Sequence, residues 1–190
     1  SRQELLDVAE VAVQGFFVTC YDAADRPCVP DRAALGCLSR QVYEDLAERY
    51  GPHRADRGVL LVARDASRRV VGCIGVEAMT SESLPVSPFI LDRSGLKQRR
   101  PVAYMSNLAV LASVRRAGLG RRLILEAEEQ VQSTLRRSEV VLMVNEGNAP
   151  ARRLYESLGY GAVFEDAWGT RAVAAAGDGD IERMRVLNVG

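Results

Sequence analysis

Between Pro101 and Val131 the apolar pattern changes its period. "PVAYMSNLAVL" (Pro101–Leu111) is an apolar run of strand type. From Gly118 the residues Leu119, Leu123, Ile124, Ala127 and Val131 share one helical face, and Arg121, Arg122, Glu128 and Glu129 are expected mostly on the other. The join is "SVRRAGLG" (Ser113–Gly120). A strand that turns through two glycines into a helix has a consequence. The first four amides of a helix have no acceptor within it, and the helix dipole puts partial positive charge there. A pyrophosphate fits such a place. Glycine at 118 and 120 removes Cβ, so phosphate oxygens can approach the backbone, and Arg115, Arg116, Arg121 and Arg122 supply cations suited to phosphate.

The remaining pattern places this join in a larger frame. Gln3–Phe17 has helical apolar spacing, and Tyr21–Pro30 reads as a loop. Asp31 can cap a second helix over Arg32–Tyr50, stopped by Gly51 and Pro52. "GVLLVAR" (Gly58–Arg64) and "RVVGCIGVEAM" (Arg69–Met79) flank a tight polar turn and predict a hairpin. Ser81–Arg100 is polar, carries Pro85 and Pro88, and reads as a long loop. "EVVLMVN" (Glu139–Asn145) predicts a strand, and Ala149–Leu158 a helix closed by Gly159. Gly161–Trp168 and Glu182–Val189 read as a last pair of strands, with "GTRAVAAAGDGD" (Gly169–Asp180) as a loop between them. This mixed order implies an α/β sheet with helices on both faces. At 190 residues one domain, 1–190, can bury about 70% of the unfolded surface without a metal or a disulfide. The chain has no internal repeat.

Composition excludes several functions. The 25 Lys+Arg and 25 Asp+Glu cancel, which does not suit a non-specific nucleic-acid binder. Lys97 is the only lysine, so the positive charge is nearly all arginine. Cys20, Cys28, Cys37 and Cys73 form no CxxC pair, and His53 is the single histidine, so a zinc site is not expected. The cysteines read as buried thiols of a reducing compartment. No apolar run reaches the roughly 20 residues of a membrane span. The chain opens on Ser1, which reads as a mature or trimmed start whose compartment the residues do not report.

Two nucleotide-binding patterns fail at the glycine turn. A Rossmann fingerprint needs a glycine where Leu123 stands, and a P-loop needs Lys where Arg121 stands. RxxGxG over Arg115–Gly120 resembles motif A of the GNAT superfamily of N-acetyltransferases. About thirty residues on, "NAPARRLYESLGY" (Asn148–Tyr160) matches that family's N-x-x-A-x-x-L-Y-x-x-x-G-F/Y block at Asn148, Ala151, Leu154, Tyr155, Gly159 and Tyr160. A strand precedes each block. The resemblance covers Val59–Val189 and is firmest over Tyr104–Tyr160. "YMSNLAV…RRAGLG" looks especially like plastid-type plant and algal members. It implies the GNAT fold: an α/β protein with a mixed, mostly antiparallel central sheet, helices on both faces, and splayed fourth and fifth strands. The family's usual first strand has no counterpart before the first helix, and is expected to be missing or replaced.

What the resemblance implies for chemistry follows residue by residue. Acetyl-CoA is the co-substrate, no metal is involved, and an acetyl group passes directly to an amine. Backbone groups at Leu108, Ala109 and Val110 would bond the pantetheine arm as an added strand does. Arg115, Arg116, Ala117, Gly118, Leu119, Gly120 and Arg121 would hold the pyrophosphate, and Asn148 would contact the CoA arm. Tyr155 matches the general acid that protonates the departing thiolate. The plain alternative is that Tyr155 is a core residue of its helix. For the base, Tyr104 ranks before Glu77. Glu146 and water-mediated proton loss stay open, and Glu77 reads more readily as a solvent-facing strand end. Trp168 would line an acceptor lid or simply pack. His53 reads as solvated, and Arg99 and Arg100 as the solvated end of a loop rather than a contact for the CoA 3′-phosphate.

The same resemblance implies protein N-terminal α-amines and/or lysine side chains as acceptors and a plastid location, with the cytoplasm as the alternative. A monomer or homodimer is expected. The balanced charge and the lack of a long apolar run lead to no nucleic-acid or membrane partner being expected. A small amine of the arylalkylamine (serotonin) type is the alternative acceptor. A non-catalytic acyl-CoA-binding regulator is the distant one, against which the presence of Tyr155 counts.

Overall fold

The computed structural model describes residues 1–16, 32–84, 99–144, 148–165, 171–175 and 182–187. Helices α1 (Arg2–Phe16) and α2 (Arg32–Tyr50) are followed by strands β1 (Gly58–Arg64), β2 (Val70–Thr80) and β3 (Pro101–Val110). Then come α3 (Leu119–Ser133), β4 (Glu139–Met143), α4 (Ala149–Ser157), β5 (Gly161–Glu165), β6 (Arg171–Ala175) and β7 (Glu182–Leu187). The strands form one mixed sheet in the order β1-β2-β3-β4-β7-β5-β6. Part of the segment expected as a loop after Trp168 is therefore strand β6. Its alternation of alanine and valine with few polar residues suits a strand paired antiparallel to β5 and β7, which chain composition alone did not separate from a loop. Among the described residues no helix is long and apolar enough to cross a membrane.

The chain divides into two compact units. The first holds Ser1–Gly75 and Asn107–Ile124, the second Val76–Ser106 and Leu125–Gly190.

In the first unit, α1 starts where the Ser1 hydroxyl accepts from the Glu4 amide at 3.2 Å. This is the Ser-x-x-Glu pattern that satisfies an orphan donor of the first turn. Its apolar face packs into a core of Val8, Ala9, Val11, Ala12, Leu46, Val70, Cys73 and Ala109. The approach to β3 is close: a Cβ built on Gly15 would lie 3.0 Å from the Ala109 Cβ. Glu4 also pairs with Arg64 of β1, whose guanidinium lowers the carboxyl's pKa. The β1–β2 turn is closed by Asp65, whose Oδ1 accepts from the amides of Ser67 (2.9 Å) and Arg69 (3.0 Å). The Leu111 amide donates to the Val71 carbonyl at 2.9 Å, where β2 and β3 run side by side. His53 is exposed in a 3₁₀ turn over Pro52–Arg54. Cys73 is buried as expected, but Cys37 is exposed, because α2 turns that position to solvent. Cys20, Cys28 and Asp31 lie outside the described residues.

In the second unit, β3 pairs parallel with β4 over Ala103↔Val140, Tyr104↔Val141 and Met105↔Leu142. Val102, Ala103, Met105, Val131, Val140, Val141 and Leu142 are buried there. Two expectations change. Glu128 is buried at 4% exposure rather than solvated, since it stands four residues after Ile124 and three before Val131 on the same helical face. Arg100 is no free loop end: its Nη2 donates to Glu139 Oε1 at 2.8 Å, and Glu139 is buried at the start of β4. Arg99 lies 3.9 Å from Glu82 in an exposed pair. The former loop from Ser81 begins as a 3₁₀ turn, Ser81–Ser83, and residues 85–98 lie outside the described ones.

Candidate functional site

In the first unit the end of β3 leads into the glycine turn. Asn107 has φ +58°, a left-handed conformation inside a strand that asparagine tolerates better than most residues. The three-pair β3–β4 ladder has already ended at Met105. Leu108 and Val110 are half-buried and Ala109 is buried. After Val110 the chain passes through a 3₁₀ turn, Ala112–Val114, closed by the Val114 amide on Leu111 O (3.0 Å) and the Arg115 amide on Ala112 O (3.3 Å). The Arg115 Nε donates to Val110 O at 2.8 Å. One of the expected cations thus also caps the strand it follows.

The next backbone bond begins α3: the Arg122 amide donates to Gly118 O at 3.1 Å. Between these two bonds, the amides of Arg116, Ala117, Gly118, Leu119, Gly120 and Arg121 have no backbone acceptor among the described residues. Arg116 (φ +67°) and Gly118 (φ +78°) are both left-handed, which gives the turn its shape. A Cβ on Gly118 would meet nothing within 4 Å, so the turn is open above it. Arg115, Arg116, Arg121 and Arg122 are exposed around it. Unspent amides, a helix N-terminus and four arginines fit a pyrophosphate.

The second unit holds the other candidates. Asn148 caps α4, its Oδ1 accepting from the Ala151 amide at 3.2 Å. The helix ends in a Schellman turn: the Gly159 amide reaches Glu156 O (3.0 Å), the Tyr160 amide reaches Tyr155 O (3.1 Å), and Gly159 has φ +84°. That motif brings the residue after the glycine against the one five before it. The rings of Tyr155 and Tyr160 meet edge to face at 5.5 Å and 65°. Spacing in "LYESLGY" is thus set by a helix cap. Tyr155 is buried at 6% exposure. The Tyr160 hydroxyl lies 2.7 Å from Glu128 Oε1 and 4.0 Å from the Met105 sulfur. Tyr104 is buried on β3 beside Val141, and alternation points it to the sheet face opposite Met105. Glu77 is half-buried on β2 and engaged with a partner.

The nucleotide-holding candidates (Leu108–Val110, Arg115–Arg121) therefore share the first unit, and the proton-handling ones (Tyr104, Tyr155, Glu77) share the second with Asn148. Glu146 and Trp168 lie outside the described residues. The sequence pointed to neither Asn107 nor the Tyr160–Glu128 bond. Their only signals were a polar residue within the run Pro101–Leu111 and a carboxylate at helical spacing from Ile124. Among the described residues no cluster of His, Cys, Asp and Glu could hold a metal. Burial pushes the Cys73 thiol up to about 12, so it stays protonated and is not a nucleophile.

No curated protein matches the chain. Residues 96–169 match the family described as FR47-like protein. Among solved structures, a transcriptional regulator from Bacillus halodurans C-125 superposes with TM-score 0.53 at 16% identity, over 84% of this chain and 87% of that one. A tetramutant of the BH1408 protein from Bacillus halodurans gives 0.52 at 22% identity, over 84% and 88%. A mutant of the spermidine N-acetyltransferase SpeG from Vibrio cholerae gives 0.50 at 14% identity, over 85% and 76%. The architecture is of the GNAT type, with an FR47-like segment spanning β3, the glycine turn and α4.

Proposed function

We propose that this chain is an acetyl-CoA-dependent N-acetyltransferase that acts on protein N-terminal α-amines and lysine side chains. The observation that carries the reading is the run of six amides, Arg116–Arg121, without backbone acceptors in an open, arginine-ringed turn at the start of α3. The GNAT-type fold and the FR47-like match agree with it. Bound there, acetyl-CoA would supply an activated thioester carbonyl to an incoming amine.

The chain's own residues supply the rest. The turn amides and Arg116 and Arg121 bind the pyrophosphate, and backbone groups at Leu108, Ala109 and Val110 bond the arm. Asn148 has its Oδ1 committed to the α4 cap, so it reaches the arm through Nδ2. Tyr155 gives its phenolic proton to the leaving sulfur. Tyr104, or Glu77 in its place, takes the proton that the ammonium form of the acceptor must lose before attack. Plastid residence and the preference for protein amines belong to the same proposal. They are supported by the resemblance of "YMSNLAV" and "RRAGLG" alone.

The test is turnover of acetyl-CoA with a mixed peptide library read by mass spectrometry, with serotonin run beside it. Acetylated α-amines or lysines are the expected result. Turnover confined to serotonin would make the protein a small-amine enzyme. Tight acetyl-CoA binding with no acceptor turned over would leave a binding protein and overturn the catalytic reading.

A further inference from the structure

The side chain of Asn107 is not explained by what holds the strand together. Its Nδ2 is buried with no hydrogen-bond partner among the described residues. A buried donor left unpaired is unfavourable, because its bond to water is lost and not replaced. The backbone there is left-handed at φ +58°, inside a strand, two residues past the last β3–β4 pair. Its carbonyl accepts from Cys73 Sγ at 3.3 Å, which helps hold the backbone in place. Asparagine's tolerance of the left-handed region accounts for the φ. It does not account for the donor, since glycine would adopt the same φ more easily and leave nothing unpaired. Left-handed non-glycine residues and unsatisfied buried donors each concentrate at functional sites.

We infer that Asn107 is a catalytic residue whose side-chain amide donates to the thioester carbonyl oxygen of the bound acyl-CoA. The inference rests on the acetyl-CoA reading above. Along β3 the pyrophosphate end of the site lies beyond Val110, and Leu108–Val110 bond the arm. Asn107 is the next residue away from the turn, toward the acyl end. As the amine nitrogen attacks, a C–N bond forms and the C–S bond breaks. The carbonyl oxygen carries transient negative charge, the sulfur leaves with the electron pair and takes a proton, and the nitrogen loses one. A fixed amide N–H at that oxygen stabilises the charge where it develops.

Asn107→Gly keeps the left-handed backbone and removes the donor. Asn107→Asp keeps the shape and replaces the donor by an acceptor. Thermal melting, calorimetric affinity for acetyl-CoA and for free CoA, and kcat would be measured on both variants and on the unaltered protein. Asn107→Gly is expected to melt close to the parent and Asn107→Asp to melt lower, since it buries a carboxyl without a donor, and both are expected to hold free CoA within about twofold. Acetyl-CoA affinity should weaken several-fold, and kcat should fall at least about tenfold, toward the 10²–10³ typical of a lost oxyanion donor. Unchanged acetyl-CoA affinity and kcat in both variants would overturn the inference and leave Asn107 as a conformational residue. Equal weakening for CoA and acetyl-CoA would also overturn it, since the contact would then not be to the acyl group. Absence of acetyl-CoA binding in the unaltered protein would overturn the parent reading, and this one with it.

Discussion

The Tyr160 hydroxyl donates to Glu128 Oε1 at 2.7 Å, and the two side chains are 2% and 4% exposed. A carboxylate at that depth depends on the bonds it accepts. Tyr160→Phe keeps the ring that meets Tyr155 and removes one of these bonds. Equilibrium unfolding in urea should show a loss of about 1–3 kcal/mol, the usual range when a buried acceptor loses its partner. Glu128→Gln keeps an acceptor and should cost less. Equal costs in the two variants would contradict this, because glutamine keeps an acceptor for the Tyr160 hydroxyl and phenylalanine leaves no donor.

Tyr155→Phe tests the acid. The Schellman bonds around Gly159 are backbone bonds, and the edge contact with Tyr160 needs only the ring. The fold and acetyl-CoA affinity should be unchanged while turnover drops by about 10²-fold or more. Full turnover would reduce Tyr155 to a core residue.

The glycine turn should respond in opposite ways to two substitutions. Gly118→Ala has room for its methyl but must hold φ +78°, which should lower stability by about 1 kcal/mol and weaken acetyl-CoA binding as the turn relaxes. Arg116→Gly relieves a left-handed arginine at φ +67° and should raise stability by a similar ~1 kcal/mol. It removes a cation from the phosphate site, so affinity should still fall. Paired melting curves and calorimetric titrations check both, and an Arg116→Gly protein that binds as tightly as the parent would place that cation outside the site.

Cys73 predicts an alkaline loss of stability. Its folded pKa is raised from 9.0 to about 12 by burial, so above pH 9 the unfolded chain releases a proton that the folded chain retains. The contribution is fully present below pH 9 and is lost progressively as pH rises toward 12, at a slope of at most about 1.4 kcal/mol per pH unit. Unfolding free energy measured from pH 8 to 10.5 should fall more steeply for the parent than for Cys73→Ala. In the folded protein at neutral pH, a thiol reagent should modify exposed Cys37 and spare Cys73. Parallel pH curves, or early labelling of Cys73, would contradict this.

Much of the architecture was legible because period is a local property. The strand-to-helix switch at Gly118, the β1–β2 hairpin and the α4 block each express a backbone rule that nearby residues set for themselves. The block's spacing from Asn148 to Tyr160 is an N-cap and a Schellman turn, both decided within thirteen residues. So the candidate anion turn, Tyr155 and the fold class could be proposed from the chain alone. Strand β6 could not, because "RAVAA" has no strong pattern of its own and becomes a strand through β5 and β7.

The sequence by itself determined the helices, most strands, and the set of amides and arginines at the glycine turn. Tertiary structure alone decided which polar side chains are buried. Glu128 reads as surface until Tyr160 supplies its hydroxyl across 32 positions, and Arg100 reads as a loop end until Glu139 meets it 39 positions on. Asn107 reads as one polar residue in a strand until the backbone turns left-handed and its Nδ2 is enclosed. Burial of a polar group depends on partners distant in the chain, and no local periodicity carries that information.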